Sequence, residues 1–389
     1  MVVRLKLLAA TALLLAACAT TPPPLSFEQV IQQSPFDKAI WVIHVEEDDG
    51  RVLVSRNADT LVMPASNRKL FTSATVASCL GPDSQLHTEV FRDGDDLILR
   101  GDGDPSLGSW RYERDGDFDR LAELLLSRGV TRVRDIVVDV SAFDRVTFPG
   151  GWKHGNLGSD YAAPVDAIAW GENELPGDRA TPDPALHAGN ALRDALALRG
   201  IIVGGVRVNT EPRTWGEKLA DLPSPFVGQL LGTVLKNSHN LYAEMLLKHI
   251  AGGTYDGAFE RERLFLTSEL GLDGSTFRFV DGSGLAPDDL MTARAAIGVL
   301  RWMNEPSRRE LWWRTLATPN QDGTLRRRLI ALESRVRGKT GTINGVAALS
   351  GILSMPGGRF RYFSIVVNHH TGEGSDAVKI IDSIVQSIS

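Results

Sequence analysis

Residues 347–368 read AALSGILSMPGGRFRYFSIVVN: an apolar run from Ala347 to Leu353, the breaker Met355-Pro356-Gly357-Gly358, and a second apolar run from Phe360 to Asn368. Two strand-like runs joined by a Pro-Gly turn predict a hairpin. Beyond it, Val378, Ile381, Val385 and Ile388 recur at helical spacing, so Asp376 to Ile388 closes the chain as a helix. The start of the chain has a matching texture. Ser26 is placed to cap a short helix, Phe27 to Gln33, with Gln29 answering it in a capping box. Ile40 to Val45 reads as a strand, Glu46 to Gly50 as a turn containing Asp-Gly, and Val52 to Ser55 as the return strand. Helix and strands at one end, strands and helix at the other, predict one domain whose sheet joins both ends.

The middle differs. After Gly81-Pro82 come short strand-like runs, His87 to Phe91, Leu97 to Leu99 and Val133 to Val140, separated by Gly, Asp and Pro. Two helical segments lie among and after them, Asp117 to Arg128 and Ala185 to Leu198. Long helices return around Pro225 to Ile250 and Thr292 to Met303. The expected organisation is a discontinuous α/β (α+β type) domain, residues 26–83 and 213–389, interrupted by a mainly β insertion at 84–212.

Composition bounds the function. Apolar residues make up 43% and charged residues 23%, the proportions of a globular chain rather than a fibrous or disordered one. The balance of 42 basic and 48 acidic residues gives −6, with no basic excess to pair with nucleic-acid phosphates. The longest apolar run, Leu7 to Ala17, is shorter than the ~20 residues that span a bilayer as a helix. It follows Arg4 and Lys6, as the core of a secretory signal does. It ends in Leu15-Ala16-Ala17-Cys18, which resembles the lipobox of bacterial lipoproteins. That resemblance implies cleavage after residue 17, a diacylglyceryl group on Cys18, and a tether over residues 18–25 stiffened by Pro22-Pro23-Pro24. Ala19 stands where an aspartate often favours inner-membrane retention, so the implied location is periplasmic, lipid-anchored at the outer membrane. Cys79 then has no internal disulfide partner and reads as a small buried hydrophobe. The histidines show no metal-ligand spacing, and the aspartates at 93, 95, 96, 102 and 104 lack the calcium-loop pattern and read as solvated turns.

Three short motifs occur in order: Ser66-Asn67-Arg68-Lys69 at a predicted helix start, Ser238-His239-Asn240 before the helical run 241–250, and Lys339-Thr340-Gly341-Thr342 before the hairpin. Singly, each has an ordinary explanation, since serine at a helix start is usually a cap. Together they answer one chemical need. A serine hydroxyl is a poor nucleophile until a neighbour takes its proton. Residues three apart share a helix face, so Lys69 can aim its amine at Ser66. A lysine acting as base near neutrality must lose about three pKa units, roughly 4 kcal/mol. Burial and a second cation both act in that direction, and Lys339 can be that cation. Gly341 would let a peptide lie along the strand edge and add to it by main-chain hydrogen bonds.

The ordered Ser-x-x-Lys, Ser-x-Asn and Lys-Thr-Gly set resembles that of penicillin-binding proteins and serine β-lactamases. The wider sequence is similar to the D-alanyl-D-alanine carboxypeptidase/endopeptidase family of low-molecular-mass penicillin-binding proteins with an inserted domain. Supporting stretches include Pro64 to Phe71, Gly101 to Leu107, Asn237 to Glu244, Asp281-Gly282-Ser283-Gly284-Leu285 and Asp322-Gly323-Thr324-Leu325. The resemblance implies a penicillin-binding-protein/β-lactamase-like transpeptidase domain and a serine DD-peptidase acting on peptidoglycan stem peptides, inhibited by β-lactams, with no metal or organic cofactor. It implies Ser66 as the acylated nucleophile, Lys69 as its base and Ser238 as the proton relay to the leaving amine. Asn240 would hold the substrate amide, Lys339 would supply positive charge, and Thr340 and Thr342 would bind the terminal carboxylate. The Ser66 and Thr342 amides would form the oxyanion hole.

Two departures stand out. His239 replaces the usual aspartate of the second motif, and the region 173–184 has room only for a loop where larger relatives carry a nested domain. The competing readings are a β-lactamase or esterase using the same serine, with Glu172-Asn173-Glu174 superficially like a deacylating glutamate, and a non-catalytic penicillin-binding wall sensor. The long interval between the first two motifs argues against the lactamase, and the presence of every reactive group argues against the sensor.

Overall fold

In the computed structural model, which describes residues 26–389, the predicted hairpin lies within a five-stranded antiparallel sheet. Val346–Met355 pairs with Val336–Ile343 on one side and Arg359–Asn368 on the other. Arg359–Asn368 then pairs with Ile40–Glu47, Ile40 facing Asn368, and Val52–Arg56 forms the far edge. The sheet thus joins the two ends of the described chain. Cys18 and the export and tether segments lie outside the described residues.

Successive side chains on a strand point to opposite faces, and here both faces are covered. Trp41, Ile43, Leu349, Phe363 and Ile365 pack on Ile381, Ile384 and Val385 of the closing helix Gly374–Ser387. Val42, Ala348 and Val366 share a second core with helices Arg68–Leu80, Val227–Lys236 and Ala293–Met303. Two buried faces are why the strands are apolar nearly throughout. The opening helix Phe27–Gln32 carries the expected capping box, with Ser26 N donating to Gln29 Oε1 at 2.8 Å and Gln29 N to Ser26 Oγ at 3.4 Å.

The middle of the chain builds a second five-stranded sheet, ordered Ile202–Asn209, Arg132–Asp139, Asp96–Arg100, His87–Asp93, Glu217–Pro223. Two pairings in it are parallel, and parallel neighbours need crossovers. Helices Asp117–Ser127 and Pro184–Leu198 supply them, burying Leu121, Leu125, Leu192 and Leu196 with Leu99, Ile136 and Val138. This sheet extends past the expected boundary at 212, because Glu217–Pro223 is its edge strand, paired with His87–Asp93. Only Leu219 of that strand is buried, so it shows no apolar run to read. The chain returns through a narrow neck: Ser224 N donates to Leu86 O at 2.8 Å, and Leu86 N to Ser224 Oγ at 2.9 Å.

The helical stretch expected over 225–250 is two helices, Val227–Lys236 and Asn240–His249, broken at Ser238, whose φ is +62°. The second has no solvent face. Leu241 and Met245 belong to the core of the second sheet, while Tyr242, Ala243, Leu246 and Leu247 belong to that of the first. This helix bolts the two units together. Of the aspartates expected in solvated turns, Asp93 and Asp95 do lie at an exposed turn, whereas Asp96 is buried with Arg134 and Arg207, and Asp104 is buried with Arg114. A buried carboxylate needs such partners, and the arginines are too far along the chain to be seen beside it. Among the described residues, no helix is long and apolar enough to cross a membrane.

Candidate active site

Ser66 sits in a 3-10 turn, Ala65–Asn67, just before helix Arg68–Leu80. Ala65 has φ +46°, a region that residues with a Cβ seldom occupy. Two glycines hold the turn from outside. A Cβ on Gly284 would lie 2.0 Å from Ala65 O, and one on Gly341 would lie 2.8 Å from Pro64 O and 3.0 Å from Ser66 N. Strand Val336–Ile343 can press its backbone against the turn that carries Ser66 only because residue 341 has no side chain.

One helical turn beyond Ser66, the Lys69 amine is fully buried. Its Nζ lies 3.1 Å from Ser66 Oγ, 2.6 Å from Asn240 Oδ1 and 2.6 Å from Ser283 O. Burial pushes its pKa down to about 8, against the pull of Asp281, Glu244 and Asp289, and with help from Arg68. A neutral amine has two N–H donors and one lone pair. Donation to Asn240 and Ser283 leaves the lone pair for the Ser66 hydroxyl, which is how a base must face its acid.

Ser238 Oγ accepts from Lys339 Nζ at 2.9 Å, and Lys339 also donates to Thr340 O at 2.8 Å. Burial, then the Lys69 charge, hold Lys339 well below the usual lysine range. Neither serine is a cap, since helices Arg68–Leu80 and Asn240–His249 begin without side-chain capping bonds. Asn240 Nδ2 donates to Tyr161 O at 2.7 Å, and the hydroxyls of Thr340 and Thr324 are 2.8 Å apart. Ser66, Ser238, Asn240 and Thr342 line a cleft of about 580 Å³ whose other wall includes Lys153, Asn156 and Tyr161 of the inserted unit. The motifs separated in sequence therefore meet in one place, with Lys339, Thr340 and Gly341 on the adjoining strand. A hollow of about 560 Å³ beside Cys79 and Arg261 shares none of these residues, and burial raises the Cys79 thiol, the opposite of activation.

Several residues behind the site were not anticipated. Asp281 accepts from the amides of Ser283 (3.0 Å), Gly284 (2.6 Å) and Ala286 (2.8 Å) and from Trp152 Nε1 (2.9 Å). It shapes the loop that presents Ser283 O to Lys69. Glu244 accepts from Gly282 N, and burial followed by Asp281 pushes its carboxyl up to about 8. Burial also raises Asp289 well above its usual range; it opposes ionisation of Asp281 too, but hydrogen bonds from Asp289 and the Gly284 and Ala286 amides hold that group low. Arg68 makes a buried bidentate pair with Glu262 at 2.7 and 2.6 Å and donates to Asp281 O at 2.9 Å. The signal for this shell was the run Asp281-Gly282-Ser283-Gly284, noted above without a use.

Glu172 does not face Ser66. Its carboxylate bonds His239 Nε2, the middle residue of the second motif, at 3.0 Å. Glu172, Glu174 and His239 bring ligand atoms within 4.8 Å of one another, a grouping that sequence spacing missed. Arg111 Nε already sits 2.9 and 3.0 Å from the two Glu172 oxygens, so the cluster is an ion-pair network rather than a cation cage. The loop expected over 173–184 includes a minimal hairpin, Glu174–Leu175 with Arg179–Ala180.

A two-unit fold that gathers Ser-x-x-Lys, Ser-x-Asn and Lys-Thr-Gly into one cleft defines the active-serine, penicillin-binding class. Within it, the chain belongs to the D-Ala-D-Ala carboxypeptidase 3 (S13) family, whose profile matches residues 25–176 and 171–388. It is 29% identical to the D-alanyl-D-alanine carboxypeptidase of Actinomadura sp. (strain R39), covering 87% of this chain and 79% of that one. It is 28% identical to carboxypeptidase DacB of Mycolicibacterium smegmatis, covering 88% and 79%. Its fold is similar to that of penicillin binding protein 4 (dacB) from Haemophilus influenzae, with a TM-score of 0.83 at 20% identity over 94% of this chain and 99% of that one. It is also similar in fold to Bd3459, a predatory peptidoglycan endopeptidase from Bdellovibrio bacteriovorus, with a TM-score of 0.60 at 17% identity over 88% and 91%.

Proposed function

We propose that this chain is a serine-type D-Ala-D-Ala carboxypeptidase and DD-endopeptidase that acts on peptidoglycan stem peptides through an acyl-enzyme at Ser66. The observation that carries the reading is the approach of the buried Lys69 amine to Ser66 Oγ, with its other partners placed to take its N–H groups. Neutral Lys69 takes the Ser66 proton as Oγ bonds to the scissile carbonyl carbon. The charge that develops on the carbonyl oxygen meets the Ser66 and Thr342 amides, a preorganised stabilisation. Ser238, steadied by Lys339, gives its proton to the leaving amine as the C–N bond breaks and is restored by the proton that Lys69 took from Ser66, which leaves Lys69 neutral again; Asn240 holds the substrate amide. Lys339, Thr340 and Thr342 bind the terminal carboxylate. Water then attacks the ester carbonyl, Lys69 taking its proton and returning it to Ser66 Oγ as the C–O bond breaks, which frees the stem peptide as a carboxylic acid and regenerates Ser66. No metal or organic cofactor enters these steps. A β-lactam enters by the same attack, its ring amide standing for the peptide bond.

The anchor completes the reading. Leu15-Ala16-Ala17-Cys18 supports export, lipidation at Cys18 and retention at the periplasmic face of the outer membrane, beside the wall. Labelling of the protein by radioactive palmitate in cells, lost in Cys18→Ser, checks this; release of unlabelled wild-type protein into the periplasm counts against it. For the chemistry, the purified protein is incubated with fluorescent penicillin, a D-Ala-D-Ala peptide and cross-linked muropeptides. Ser66→Ala is expected to abolish labelling without lowering the melting temperature. Labelling that persists in that variant removes Ser66 from the mechanism. Rapid penicillin turnover, or labelling with neither peptide cleaved, would favour the lactamase or the sensor.

A further inference from the structure

The inserted unit reaches the second motif at His239. Its side chain is only 10% exposed, and Nε2 meets Glu172 Oε2 at 3.0 Å. The Glu172 carboxylate, 1% exposed, also accepts from Ser109 Oγ at 2.6 Å, Arg111 Nε at 2.9 and 3.0 Å and Tyr242 Oη at 3.0 Å. The backbone that delivers it is left-handed at successive residues: Gly171 at φ +54°, Glu172 at +61° and Asn173 at +59°. Non-glycine residues held there cost about 1–3 kcal/mol each and persist only where their surroundings over-determine them. Asn173 provides that restraint, accepting from Trp170 N at 3.2 Å and donating to Pro164 O at 3.1 Å. On the other side of His239, Ser238 is left-handed as well, at φ +62°. His239 therefore lies between two strained backbones, one carrying Glu172 and the other carrying the serine that meets Lys339. Its other neighbour in sequence, Asn240, meets Lys69.

We propose that Glu172 is a positioning residue for Ser238 and Asn240, acting through His239, so that the inserted unit sets the geometry of proton transfer in the cleft. The proposal rests on the reading of Ser66 as nucleophile. Proton transfer demands heavy-atom separations near 3 Å, and a displacement of about 1 Å can lower a rate ~100-fold. The charged groups facing His239 are Glu172, Glu174 with Oε1 at 3.8 Å, and Arg111 behind Glu172; Tyr242 packs on its ring, and Lys339 lies beyond Ser238. Burial works against the imidazolium, but the hydrogen bonds to Glu172 and Glu174 prevail and raise the His239 pKa. A raised pKa means that the tie is charge-assisted while His239 is protonated and loses that charge as pH rises through its folded value, leaving at most a neutral hydrogen bond. Positioning thus weakens on the alkaline side.

The test is the second-order rate of fluorescent-penicillin acylation across pH for the full chain, Glu172→Gln, His239→Asn and the double variant. Glu172→Gln is expected to slow acylation about 10-fold or more near neutrality and to move the alkaline fall to lower pH. His239→Asn is expected to give a similar loss, with no further loss in the double variant, because both act along one path. Should Glu172→Gln not fold, His239→Gln, which keeps a donor but carries no charge, reads the same limb. Wild-type protein that is never labelled sinks the underlying reading. A labelled wild type sinks this proposal alone if the variants match its rates, lose rate equally at every pH, or show losses that multiply in the double variant.

Discussion

At the scale of single residues, Lys69 shows how an interior brings toward neutrality an amine that water would keep charged. Burial lowers its pKa from 10.5 to about 8, so the amine is partly neutral near physiological pH. Acylation by penicillin is therefore expected to rise with pH through about 8 as Lys69 deprotonates. Lys69→Met should lose about 10²- to 10⁴-fold in acylation rate, the usual contribution of a general base. Retention of most of the wild-type rate would show that another group takes the proton. The same burial leaves a mark on stability. Between pH 8 and 10.5 the unfolded chain keeps a proton at this lysine that the folded chain has lost, so Lys69 makes stability rise with pH there. Glu244 has the opposite sign. Its carboxyl is raised from 4.5 to about 8, so the folded state holds the extra proton and stability falls as pH rises through that window. Glu244→Gln should flatten this part of a melting-temperature profile, and an unchanged slope would mean that Glu244 is ionised throughout.

At the scale of elements, the site is made by close approach of backbones. Strand Val336–Ile343 and the turn Ala65–Asn67 touch where residue 341 has no Cβ. Gly341→Ala must move one of them, because the atoms a Cβ there would meet, Pro64 O and Ser66 N, belong to the backbone. Penicillin labelling should fall at least about 10-fold while the protein stays folded, since a small shift suffices to spoil a reacting geometry. Labelling at the wild-type rate would show that the edge strand and turn can separate freely. Helix Asn240–His249 works in a different way. Truncating Leu241 or Met245 to alanine leaves a cavity at the join of the two units, and each change should cost about 2–5 kcal/mol in chemical denaturation. A loss below about 1 kcal/mol would mean that the second core does not depend on this helix.

At the scale of the whole molecule, the insertion is part of the active site's construction. It leaves and returns beside the Leu86–Ser224 pairing, which makes it look removable. Yet Tyr161 O accepts from Asn240, Glu172 meets His239, Trp152 Nε1 donates to Asp281, and Leu241 and Met245 pack into its core. Excision of residues 87–223 should therefore give insoluble protein, or soluble protein that fluorescent penicillin no longer labels. A soluble remainder labelled at the wild-type rate would show that the insertion is an accessory.

The end-to-end sheet, its closing helix and the three motifs were legible in the sequence, because apolar periodicity, turn chemistry and short-range spacing are local properties that a linear reading preserves. Ser66 and Lys69 share a face by helical pitch alone. The edge strand Glu217–Pro223 was not legible, since a half-exposed edge carries mixed polarity and no apolar run. Nor were the pairings of Arg68 with Glu262, Trp152 with Asp281, or Glu172 with His239. Each joins residues far apart along the chain, and their interaction exists only once burial has excluded water and left each charge dependent on the partner that packing brings to it. Residue types and their order determined which chemistry was available. Tertiary packing decided which amine is neutral, which hydroxyl it faces and which carboxylates stand behind them, because proton affinity in an interior depends on distance and desolvation rather than on sequence.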